Sequence, residues 1–197
     1  MMNAVEMMKR ICVFCGASDP VSGLYVSAIE RFADTLAARG GSLVYGGGKV
    51  GLMGVVADRV LAQGGSVLGV IPHQLERREV AHLGLTELIR VDSMHERKRI
   101  MYERSDAFVV FPGGFGTLDE TMEILTWKQL AIHDKPIVLA NLDGFYDGLL
   151  AWLERATHDG LLKPKYLPLC RAVTDVPAIF DYLDTYEAHR PNLETWG

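Results

Sequence analysis

Short apolar runs alternate with amphipathic segments along almost the whole chain. Ile11–Gly16 reads as a buried strand. After it, Ile29, Phe32, Ala33, Leu36 and Ala37 recur at helical spacing, and Arg39-Gly40-Gly41 supplies the stop. Ser42–Tyr45 is a second strand. Met53, Val56, Ala57, Val60 and Leu61 mark one face of a second helix, which Gly64-Gly65 ends. Ser66–Ile71 is a third strand, and from Pro72 to Leu85 the pattern dissolves into a surface loop. Leu88–Val91, Ala107–Phe111 and Pro136–Ala140 read as further strands. Met94–Ser105, about Leu118–Ala131, Tyr146–Thr157 and Val176–Ala188 read as further helices. Strands that are apolar at nearly every position belong to parallel sheets covered on both faces. The pattern predicts one doubly wound, Rossmann-like α/β domain over residues 10–190, with a mainly parallel sheet flanked by helices. Residues 1–9 are expected to be flexible and 191–197 to form a polar tail.

Composition narrows the function classes. The chain has 197 residues, 49% hydrophobic, with a net charge of −5. That length fits one domain at about 150 residues per domain. An acidic chain lacks the basic footprint that nucleic-acid binding needs. No apolar run reaches the roughly 18 residues that span a bilayer. Lys9-Arg10 followed by Ile11–Ala17 has a superficial likeness to a signal peptide, but no second feature supports export, so a cytoplasmic location is expected. Three cysteines, an odd number, suit a reducing compartment. Cys12-x-x-Cys15 sits in a strand-like run that puts the two sulfurs on opposite faces, which favours a structural over a redox pair.

Ligands of doubly wound sheets bind at the carboxyl ends of the strands, where two glycine turns fall. Gly46-x-Gly48-x-x-Gly51 matches the dinucleotide fingerprint, yet the next strand ends Val70-Ile71-Pro72-His73 without the ribose-binding acid. A tight packing turn and a backbone cradle for one nucleotide are equally open readings. The turn Pro112–Glu120 is more informative, because Gly113, Gly114 and Gly116 open amides to an anion at a helix start. Thr117-x-x-Glu120 has the spacing of a capping box, which competes as a structural explanation. A sugar between phosphate and acid would reconcile the glycines with Glu120. The run His95-Glu96-Arg97-Lys98-Arg99 opens a helix, where the dipole disfavours cations, so an anionic partner is expected. His95-Glu96 is not followed by the second histidine of a zinc motif, and no metal site is expected. Lys49 and Lys128 have no surroundings that suggest a pyridoxal phosphate Schiff base, and Met122 and Trp127 suit a core or a subunit interface.

Pro112-Gly-Gly-Phe-Gly-Thr-Leu-Asp-Glu120 together with Met94-His-Glu-Arg-Lys98 resembles the Lonely Guy family of cytokinin-activating phosphoribohydrolases, formerly labelled possible lysine decarboxylases. The likeness extends to Cys15-Gly16-Ala17-Ser18, Tyr45–Gly54 and Ile132–Pro136. It implies hydrolysis of a nucleoside 5′-monophosphate to free base and ribose 5-phosphate, a homodimer and no cofactor. The resemblance puts the catalytic pair on Arg97 and Glu120. It puts substrate contacts on Glu79, Lys98, Gly113, Gly114, Phe115, Gly116, Thr117, Leu118, Asp119 and Thr126. Ser18, Gly46, Gly48 and Met94 complete the candidate set. Glu120 is expected to stabilise the positive charge that develops on the sugar and to activate water. Arg97 is expected either to hold Glu120 ionised or to clamp the phosphate. A nucleotide carrier without turnover is the alternative reading; a nicotinamide oxidoreductase is disfavoured by the missing acid.

Overall fold

A computed structural model describes residues 10–19, 21–76 and 80–188. Seven strands form one sheet: β1 (Arg10–Phe14), β2 (Ser42–Tyr45), β3 (Ser66–Pro72), β4 (Glu87–Val91), β5 (Ala107–Val110), β6 (Ile137–Ala140) and β7 (Arg171–Val173). Their order is β4-β3-β2-β1-β5-β6-β7, and every pair is parallel. The strand order switches direction between β1 and β5, which opens a crevice at their carboxyl ends.

Among the described residues, six α-helices cover the two faces: α1 (Gly23–Ala38), α2 (Gly51–Ala62), α3 (Met94–Glu103), α4 (Phe115–Gln129), α5 (Asp147–His158) and α6 (Val176–Thr185). Ile29, Phe32 and Leu36 of α1, Val56 and Val60 of α2, and Ile179 and Phe180 of α6 pack on one face. Met101 of α3, Ile124 of α4 and Tyr146 before α5 pack on the other. The inner strands β1, β5 and β6 contribute to both layers, because alternate side chains point to opposite faces. The cysteines follow this rule: Cys12 lies in one layer and Cys15 in the other, and both are free.

Two elements differ from the sequence expectation. Helix α4 begins at Phe115, with Gly114 as its N-cap, not near Leu118. Thr117 is therefore already inside the helix, and Thr117-x-x-Glu120 is not a capping box. Strand β7 has only three residues, too few to leave a pattern. The expected flexible segment 1–9 and tail 191–197 lie outside the described residues, as does Glu79. Among the described residues, no helix is long and apolar enough to cross a membrane.

Two ionisable side chains are buried in the α4 region. His133 bonds through Nε2 to the Ile124 carbonyl (2.8 Å) and accepts the Lys135 amide at Nδ1 (3.1 Å). Those partners require the neutral ring with its proton on Nε2. Burial, opposed in part by the Ile124 bond, lowers its pKa from 6.5 to about 4. Lys128 is 2% exposed with its ammonium 4.9 Å from the Tyr186 ring centroid, and burial lowers its pKa from 10.5 to about 8.

Candidate active site

The crevice at the switch point is a cleft of about 660 Å³. Its walls come from the loop after β1, the start of α2, the first turn of α3, and the β5–α4 turn. They bring together Ser18, Met94, Arg97, Gly113, Gly114, Phe115, Gly116, Thr117 and Glu120, all of them expected site residues.

The β5–α4 turn forms one end of the cleft. Leu118 N–H donates to the Gly114 carbonyl and closes the first helical turn. The amides of Phe115, Gly116 and Thr117 precede that bond and have no acceptor within the helix. A Cβ on Gly114 or Gly116 would meet open space, so the cleft reaches these amides unobstructed. Gly113 is required for another reason. A Cβ there would collide with Thr117 Oγ1 and come within 2.9 Å of Gly16 N. The collision-free turn is also tied to the first loop, since Gly16 N–H donates to the Pro112 carbonyl (3.0 Å).

Glu120 lies one turn further along α4 and lines the same cleft. Its charge, after burial, raises the pKa of both Cys12 and Cys15, which lie in and just after β1. Both cysteines are held as neutral thiols, which removes them as nucleophiles.

Arg97 is 4% exposed, far from a solvated helix face. Its Nε donates to the Val70 carbonyl (3.1 Å) and its Nη2 to the Gly46 carbonyl (2.8 Å). Nη1 meets Met94 Sδ at 3.8 Å. A guanidinium presents several donors in a fixed plane, so it can bracket the ends of β2 and β3 while one edge borders the cleft. Gly46 is a consequence of this bracket. A Cβ there would overlap Arg97 Nη2 and lie 3.0 Å from Cζ and 2.9 Å from Met53 Cε.

The expectation of a basic anion patch is corrected. Lys98 pairs with Asp119 and Glu123 of α4, each at 3.1 Å, and Arg99 pairs with Glu103 at 3.0 Å. Burial opposes the charge of Lys98, but the bonds from Glu123 and Asp119 outweigh it and raise the pKa. The helix start itself is capped by Ser93 Oγ, which accepts the Glu96 amide (3.1 Å). Of the three cations, only Arg97 lines the cleft.

The first glycine turn is likewise a packing turn. Gly48 bridges to Ala81, Lys49 N–H donates to the Val80 carbonyl, and His82 N–H donates to the Gly47 carbonyl. The start of α2 is occupied by Asp19, whose Oδ2 accepts the Gly51 amide at 3.3 Å. Gly46 and Gly48 thus support the cleft from behind and do not line it.

Leu118, Asp119 and Thr126 fall on a second surface along α4, and Lys98 of α3 reaches it through Asp119 and Glu123. Leu118, Asp119, Met122, Glu123, Thr126 and Trp127 line an open groove there of about 490 Å³. Phe115, 94% exposed, borders both surfaces. Tyr25 and Phe145 also line the cleft and carry no motif; only their contact in the fold, with ring centroids 5.7 Å apart, identifies them. Lys49 is exposed, Lys128 is buried, and neither lines the cleft. Among the described residues there is no cluster of three or more His, Cys, Asp or Glu able to hold a metal ion.

The cleft at the switch point of a Rossmann-like sheet thus brings the first amides of α4 together with Glu120 and the buried Arg97. The chain belongs to the family described as possible lysine decarboxylase, whose model matches residues 53–183. It is 47% identical over 178 residues to a probable cytokinin riboside 5′-monophosphate phosphoribohydrolase, LOGL9, of Oryza sativa subsp. japonica, covering 90% of this chain and 78% of the relative. It is 42% identical over 179 residues to the cytokinin riboside 5′-monophosphate phosphoribohydrolase LOG5 of Arabidopsis thaliana, covering 91% and 78%. The molybdenum cofactor carrier protein of Chlamydomonas reinhardtii shares the fold, with a TM-score of 0.68 at 19% identity over 89% of this chain and 96% of that one.

Proposed function

We propose that the protein hydrolyses the N-glycosidic bond of an adenosine 5′-monophosphate, plain or N6-substituted, to free base and ribose 5-phosphate. The observation that carries this reading is the placement of Glu120 beside the open amides of α4 in one cleft. The 5′-phosphate binds the amides of Phe115, Gly116 and Thr117, where the helix dipole adds to their attraction. The sugar then lies against Glu120. As the C–N bond breaks, positive charge grows on the sugar, and a nearby carboxylate stabilises it. The same carboxylate takes a proton from the attacking water, whose oxygen bonds to the anomeric carbon while the departing base takes up a proton from solvent. Arg97 keeps the far wall rigid through its bonds to the Val70 and Gly46 carbonyls. The names of relatives at 42–47% identity support the substrate class.

The protein acts as a cytoplasmic homodimer. The split of expected substrate contacts between cleft and outer groove supports the dimer. A second copy seated on α4 would cover Phe115 and bring Leu118, Asp119 and Thr126 beside a cleft. Three free cysteines support the compartment.

The test is Glu120→Gln, which keeps shape and removes charge. We expect release of base from AMP or N6-isopentenyl-AMP, followed by chromatography, to fall at least about 100-fold, with the melting temperature little changed. Undiminished release would sink the catalytic assignment. Nucleotide binding without turnover by the wild type would leave a carrier.

A further inference from the structure

The strap of residues 80–84, just before β4, is tied to the first glycine turn by main chain. Lys49 N–H donates to the Val80 carbonyl (3.0 Å) and His82 N–H donates to the Gly47 carbonyl (2.9 Å). Gly48 and Ala81 pair between them as an isolated antiparallel bridge. Val80 stands at φ 45°, a left-handed backbone that a β-branched residue rarely adopts. Such a conformation costs about 1–3 kcal/mol and persists only where the surroundings fix it.

The His82 side chain supplies that fixing. It is buried, although Val80 and Leu83 near it are exposed. Its Nδ1 accepts the Gly84 amide (3.2 Å), so the ring proton is on Nε2, which donates to Asp58 Oδ1 of α2 (2.9 Å). With both nitrogens bonded, the ring has one orientation, and the strap is pinned to α2 as well as to the turn. Helix α2 opens at Gly51, directly after the turn, so turn, strap and helix close a ring.

The same turn carries Arg97. The Gly46 carbonyl accepts Arg97 Nη2 (2.8 Å), and the Gly47 carbonyl, in the next peptide plane, accepts the strap. Gly46, Gly47 and Gly48 are the softest backbone the chain can offer, so bonds from outside must hold their peptides in one place. Arg97 needs a fixed acceptor, and the strap bonds supply the restraint. We propose that His82 is a positioning residue: by clasping Asp58 it holds residues 80–84 on the glycine turn and so fixes the carbonyl that orients Arg97. His82 itself does not line the cleft. The reaction used to assay it rests on the phosphoribohydrolase reading; the clasp does not.

The test compares His82→Ala, Asp58→Ala and Asp58→Asn in the full chain, at a temperature where melts show each to be folded. One readout is kcat and KM for release of base from AMP. The other is solvent exchange of the Arg97 Nε–H by isotope-edited NMR, a proton held by the Val70 carbonyl at 3.1 Å. We expect His82→Ala to lower kcat about tenfold, part of the hundredfold that an ångström of misplacement costs, with KM within about twofold. The Arg97 proton should exchange at least about tenfold faster. Asp58 is exposed, so Asp58→Ala loosens the clasp without leaving a cavity and shifts both readouts the same way, even where His82→Ala fails to fold. Asp58→Asn keeps an acceptor for the Nε2 proton and recovers both. Unchanged Arg97 exchange in the folded alanine variants, whatever happens to their melting temperature or kcat, would overturn the proposal. If the unsubstituted chain releases no base, the hydrolase reading falls, and the exchange of Arg97 alone decides the clasp.

Discussion

Replacing Gly46 by alanine adds one methyl group, far from the amide cradle, and tests whether Arg97 is held as described. The new Cβ would overlap Nη2 and sit 3.0 Å from Cζ, where carbon contacts normally settle at about 3.5–4.0 Å. The guanidinium must retreat by about an ångström. Its 2.8 Å bond to the Gly46 carbonyl then stretches beyond hydrogen-bond range, and the 3.1 Å bond to Val70 weakens. Met53 Cε lies 2.9 Å from the same added Cβ and must give way as well. A bond from a charged donor contributes about 1.5–3 kcal/mol, and overpacking adds a similar cost. The expected loss is about 3 kcal/mol, or roughly 6–12 °C in melting temperature for a chain of this size. Displacement of a positioned group by an ångström lowers turnover about 100-fold. Thermal melts and base release by chromatography read the two effects. A double-mutant cycle with Arg97→Ala assigns the cause, because the two costs must overlap if they share one contact. Wild-type melting and turnover in Gly46→Ala, or strict additivity in the cycle, would refute the bracket.

Acid weakens the fold through His133. Its folded pKa of about 4 lies below the unfolded 6.5, so the unfolded chain binds the proton first. Stability is complete above pH 6.5 and falls by about 3 kcal/mol as pH drops to 4. Urea midpoints across that range should show the slope, and His133→Phe should flatten it. Lys128→Met is expected to stabilise the protein at pH 7 by up to about 3 kcal/mol, since it removes an ammonium whose pKa is lowered to about 8 by burial. The gain should shrink as the pH of the melts rises from 8 to 10.5. Phe115→Ser should shift sedimentation toward the monomer and lower turnover together; loss of turnover in an unchanged dimer would confine Phe115 to the cleft.

The strands were readable because a sheet covered on both faces leaves unbroken apolar runs such as Ala107–Val110. The start of α4 was misplaced because sequence rules seek a side-chain cap, and Thr117 offered one. The actual cap is Gly114, which bares the helix amides instead. The bonds that hold Arg97 were not legible, because its acceptors are main-chain carbonyls at residues 46 and 70, and a carbonyl does not depend on residue type. The partners of Lys98 lie on α4, about twenty residues away along the chain, so a cluster of cations read locally concealed a clasp between helices.

The cleft draws its walls from Cys15 at one extreme and Phe145 at the other, joined through sheet pairings of long sequence separation. Such contacts close only late in folding. A chain missing any one of β1, β3 or β5 has no place for a nucleotide, so the ligand binds only the finished sheet. Occupancy then stabilises the whole molecule by RT ln(1 + [L]/Kd), about 2.7 kcal/mol at a hundredfold excess over Kd. In the Glu120→Gln chain, which on the proposed reaction does not consume its ligand, the melting temperature should therefore rise with free nucleotide concentration.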